Sequence, residues 1–81
     1  DLRRDDQEVR KARAILAADE GIVALRTRIA DAYQLKYDNG LCAMNDLIDA
    51  MSEVDEARSD KALHEIQLLL AMQHYATDNG N

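Results

Sequence analysis

Apolar residues recur along this chain at alternating spacings of three and four, the pattern of helices that pack along a seam. In the first half the row is Ile15, Ala18, Ile22, Leu25, Ile29 and Ala32. It sustains a heptad a/d repeat for about three turns of the pattern. These six residues are therefore expected to form the contact seam of a first helix. A flanking row at spacing seven, Val9, Leu16, Val23 and Ala30, widens the apolar face. A face that wide predicts a helix with neighbours on two sides. Residues 1–13 are densely charged, with only Leu2, Val9 and Ala12 apolar, and read as a solvated or frayed helix start.

Asn39-Gly40 interrupts the pattern at mid-chain. Both residues tolerate positive φ, and Gly just past a periodic segment is a usual helix stop. A second helix is expected to begin near Ala43, with Cys42 or Asn45 close to its cap. One apolar row then runs through Leu47, Ala50, Val54, Ala57, Lys61, His64, Leu68, Ala71 and Tyr75. Its first half alternates large and small side chains, which permits close helix approach. A second row holds Met44, Ile48, Met51, Ala62, Ile66, Leu69 and Ala76, interrupted by Asp55 and Arg58, and Gly80 marks the stop. No segment shows the period-two alternation of a strand. The expected fold is all-α: an antiparallel two-helix coiled-coil hairpin over residues 1–81, with helices at about 5–38 and 43–78 and a turn at 39–42.

Length and composition sharpen this picture. The 81 residues make one domain at most, and the absence of Pro, Phe and Trp suits long helices. A two-helix hairpin has one seam and no third layer, so it encloses little core. The chain is thus expected to need copies of itself or the rest of a larger protein, and it reads as a piece excised from one.

The formal net charge of −6 is unevenly spread. Residues 1–40 carry eight acidic and eight basic side chains, whereas residues 41–81 carry eight acidic ones against Arg58 and Lys61 alone. An acidic second half repels phosphate backbones and anionic lipid surfaces, so nucleic acid is not an expected partner. The longest apolar run, Leu68-Leu69-Leu70-Ala71-Met72, is far too short to span a bilayer.

Candidate chemistry concentrates on the second helix. Asp46, Asp49, Glu53, Glu56 and Asp60 are spaced three, four, three and four, which places them on one helix face. That stripe would run about 21 Å at 1.5 Å per residue. It reads either as a solvated face, with Asp46 and Asp49 favoured by the helix N-terminal dipole, or as carboxylate rings around a cation-attracting passage. Spacing does not choose between these. Catalysis by an Asp46/Asp49 pair would need a pocket to raise one pKa, which a hairpin does not offer. His64 and His74 lack metal-ligand spacing, so no metal or cofactor is expected. His64 reads as a satisfied seam residue, Cys42 as a small apolar group at the turn.

The turn and second helix resemble the C-terminal coiled-coil hairpin of TolC-like outer-membrane efflux proteins. Tyr37, Gly40 and Leu41 match the family's Tyr-x-x-Gly-Leu/Thr turn. Asp46-Leu47-Ile48-Asp49-Ala50 matches its Asp-Leu-Leu-Asp-Ala-like block at the right distance. Ala57, Leu69-Leu70-Ala71 and Gly80 continue in step, so the resemblance covers residues 37–80 well and residues 14–36 loosely. It implies a fragment of a trans-periplasmic α-barrel built from three chains beneath an outer-membrane β-barrel. It further implies that Asn39, Gly40, Leu41 and Cys42 belong to a tip docking a periplasmic adaptor protein, which connects to an inner-membrane pump. Asp46 and Asp49 would ring the periplasmic entrance through which small molecules are exported.

Two other readings stand beside this one. A generic self-associating helical adaptor or secretion hairpin needs only the heptads. A small all-α enzyme of chorismate-mutase type has a faint similarity over residues 19–36, including Arg28, but residues 41–81 hold too few cations for a dicarboxylate substrate.

Overall fold

The computed structural model describes residues 2–80, and Asp1 and Asn81 lie outside the described residues. Two helices, α1 (Leu2–Asp38) and α2 (Met44–Gly80), lie antiparallel in a rod of 62 × 14 × 12 Å. The all-α hairpin expected from the heptads is therefore the observed architecture. Helix α1 extends unbroken through the charged residues near its start.

The reversal is built by a helix stop of Schellman type. Leu41 N–H donates to Lys36 O at 2.7 Å and Gly40 N–H to Tyr37 O at 3.0 Å, satisfying carbonyls that α1 leaves without helical partners. This geometry needs a residue at positive φ, and Gly40 sits at +70°. The Asn39 side-chain amide adds a bond to Leu35 O at 2.8 Å. Helix α2 starts at Met44 with Ala43 at the cap position, so neither Cys42 nor Asn45 caps it. Ala43 has no side-chain acceptor, so the cap is one-sided: Asp46 reaches back and its Oδ2 accepts the Ala43 N–H at 3.3 Å.

The seam of α2 is the row read from the sequence. Leu47, Ala50, Val54 and Ala57 are buried, and Lys61, His64, Leu68, Ala71 and Tyr75 are half-buried. Full burial is thus confined to the half nearest the turn.

The seam of α1 differs from the expected one. Ala18, Ile22, Leu25 and Ala32 are exposed, and Ile15 and Ile29 are only half-buried. Val9, Ala12, Leu16, Asp19, Val23, Arg26, Ala30, Tyr33 and Tyr37 occupy the contact instead, all buried or half-buried. Each expected residue precedes a true seam residue by one position, which is about 100° around a helix. Hydrophobicity alone misplaces the face because two of its positions, Asp19 and Arg26, are charged. Both are satisfied across the seam: Asp19 Oδ2 lies 2.5 Å from His64 Nδ1, and Arg26 Nη1 donates to Glu53 Oε2 at 3.0 Å.

Candidate functional site

The functional residues proposed from the sequence gather at the turn and along one side of α2. At the tip, Asn39 and Gly40 are exposed, and Leu41 is 74% exposed, the highest value among the large apolar side chains of the described residues. Cys42 differs from its neighbours. It is half-buried, with Sγ 3.5 Å from Tyr33 O, and packs back against α1 as a small turn residue. The solvent-facing end of the rod is therefore Asn39-Gly40-Leu41, stiffened from beneath by the cap bonds and Cys42.

Asp46, Asp49, Glu53, Glu56 and Asp60 are all exposed and form the continuous acidic row that their spacing predicts. They do not act alike. Asp46 is committed to Ala43 N–H, where its charge also meets the N-terminal dipole of α2. Glu53 is partly neutralised by Arg26. Asp46, Asp49 and Glu53 border a shallow open groove with Ile29, Tyr33 and Ala50. Its volume of about 210 Å³ is below the ~300–1,000 Å³ of enclosed small-molecule sites. Glu53, Glu56 and Asp60 border the next groove with Ile22, Arg26 and Ala57. The acidic row of α2 thus runs beside the uncovered Ile22/Ile29 row of α1 on the same broad face of the hairpin.

The opposite broad face carries the second apolar row of α2. Met44, Ile48, Met51, Ile66 and Leu69 are each about half-exposed or more. Met51 borders a groove there with Thr27, Gln34, Asp55 and Arg58. Each helix therefore shows one uncovered apolar row, and the two rows point to opposite sides.

The sequence did not single out Asp19 or Arg26 as contact residues and gave Val23 only a flanking place. The available signal was the spacing-seven row Val9, Leu16, Val23 and Ala30, completed by intervening residues at three and four. Among the described residues, no group of three or more His, Cys, Asp or Glu side chains could hold a metal ion. No described helix is long and apolar enough to cross a membrane. Comparison with family models, with curated proteins and with solved structures found no match to this chain.

Proposed function

We propose that this hairpin is the periplasmic tip of an outer-membrane efflux or secretion channel, docking a periplasmic adaptor and gating export of small molecules. The observation that carries the reading is the joint occurrence of the turn and the carboxylate block. Tyr37, Gly40 and Leu41 form a rigid reversal, and Asp46 and Asp49 follow it in step on a water-facing side. An exposed Leu41 on a backbone fixed by three cap bonds suits end-on contact with another helical hairpin. An acidic row open to solvent suits the wall of an aqueous passage that concentrates cations. In this reading the uncovered apolar rows of α1 and α2 meet neighbouring helices of a trimeric barrel.

The test is conductance across a planar bilayer of a channel carrying this hairpin. Replacing Asp46 and Asp49 together with Ala should raise the half-blocking concentration of a trivalent cation on the order of tenfold. Unchanged block would remove their role at the entrance.

A second reading has its own supporting observation. The exposed rows around Ile22, Leu25, Ile48 and Met51 would serve equally in a self-associating helical adaptor, which asks nothing of Asp46 or Asp49. Self-association of the isolated hairpin without any effect of the Asp46 and Asp49 substitutions on transport would favour it.

A further inference from the structure

Helix α1 offers α2 two alternative faces. The row Ile15, Ala18, Ile22, Leu25, Ile29 and Ala32 is wholly apolar, yet Ile22 and Leu25 remain 46% and 53% exposed. The row that α2 actually covers is one residue out of phase with it and includes Asp19 and Arg26. The open row is aliphatic at all six positions, whereas the covered face carries two charged residues, so the polar contacts across the seam are what distinguishes the face that is used.

Asp19 is the buried charged residue of this seam, at 7% exposure, and it sits at a heptad position normally filled by Leu. Its side chain meets one residue of the other helix, His64, through Oδ2 and Nδ1 at 2.5 Å. An ionised Asp19 requires the proton on Nδ1, so the imidazole donates. Rotating α1 by one residue to bury the Ile row would carry Asp19 out to solvent and break its bond to His64. A buried polar pair of this kind adds little net stability, and its best-attested use is to choose register and partner face.

We propose that the Asp19–His64 pair is a face selector: it commits the Asp19 side of α1 to α2 and so leaves Ile22 and Leu25 uncovered. Arg26–Glu53 lies on the border of the same seam and is about half-exposed on both sides, so it supports the alignment but is screened by water.

The experiment is methyl NMR of the 81-residue chain with labelled Ile, Leu, Val and Ala. In the native hairpin Ala30, which shares a groove with Val54, should show a nuclear Overhauser contact to it, and Leu25 should show none. The D19A/H64A variant should show a second set of cross-peaks in which Leu25 contacts Val54. D19A alone, which leaves a half-exposed His64 able to turn to water, should show the same second set and guards against failure of the double variant to fold. The exchanged pair D19H/H64D should return the spectrum to one set. A single native set in both D19A and D19A/H64A would overturn the proposal. So would a second set persisting in D19H/H64D, because the loss would then not depend on the pair.

Discussion

The Asp46 carboxylate accepts the backbone N–H of Ala43 at 3.3 Å, closing the first turn of α2 from inside the helix. Asp49, one turn further along the same exposed row, makes no comparable cap contact. Two carboxylates that look equivalent in the sequence thus have different structural duties. Asp46→Ala should lower the unfolding free energy of the hairpin by about 0.5–1 kcal/mol. Asp49→Ala should stay within about 0.5 kcal/mol of the parent. Urea titrations followed by circular dichroism measure both. Equal losses would show that the cap bond contributes nothing, and would simplify reading of the double substitution in transport.

The two internal glycines are expected to respond in opposite directions. Gly40 holds φ at +70°, where a Cβ is strained, so Gly40→Ala should cost about 1–2 kcal/mol although the space around it is empty. Gly21 is exposed within α1, has no positive φ, and a Cβ there meets nothing within 4 Å. Gly21→Ala should therefore stabilise the hairpin by about 0.5–1 kcal/mol through helix propensity. Thermal melts of the two variants would place them on either side of the parent. A stabilised Gly40→Ala would be incompatible with the observed turn.

Arg26 and Glu53 are joined at 3.0 Å, but their side chains are 42% and 51% exposed. A double-mutant cycle with R26A and E53A should return a coupling of about 0.2–1 kcal/mol that shrinks as salt is raised. A larger coupling, insensitive to salt, would mean that the pair is drier than its exposure implies.

Substitutions in the open apolar row should separate folding from association. Ile22→Gln together with Leu25→Gln should change hairpin stability by only about 1 kcal/mol, because both side chains lie beside the α1–α2 seam and are about half-exposed. Any self-association seen by analytical ultracentrifugation should fall. If the double substitution instead unfolds the hairpin, these residues belong to its core.

At the tip, Leu41→Asp should leave the melting temperature near that of the parent, since the side chain is 74% exposed. Binding to the helical hairpin of a cognate periplasmic adaptor should be lost. Retained binding would move the docking surface away from the turn.

How far the sequence could be read depends on which physical rule each element obeys. Gly40 was legible as a stop because positive φ is a local property, independent of what packs nearby. The α2 seam was legible because Leu47, Ala50, Val54 and Ala57 are apolar as well as periodic. The α1 seam was not, because Asp19 and Arg26 are acceptable there only through His64 and Glu53, more than twenty residues away in sequence. The acidic row was visible from spacing alone, but the division of labour between Asp46 and Asp49 was not. It follows from position in the first turn: Asp46 is at N3, from where its carboxylate reaches back to the N–H of the cap residue Ala43, and Asp49 lies beyond that reach.

The concentration of full burial in Leu47, Ala50, Val54 and Ala57 has a dynamic consequence. Contacts beside a tight reversal close the shortest loops and lose the least chain entropy on forming. The rod should therefore zip from the turn outward and fray from its open ends. Amide hydrogen exchange should be slowest in residues 47–57 and their partners on α1, and fastest towards both termini.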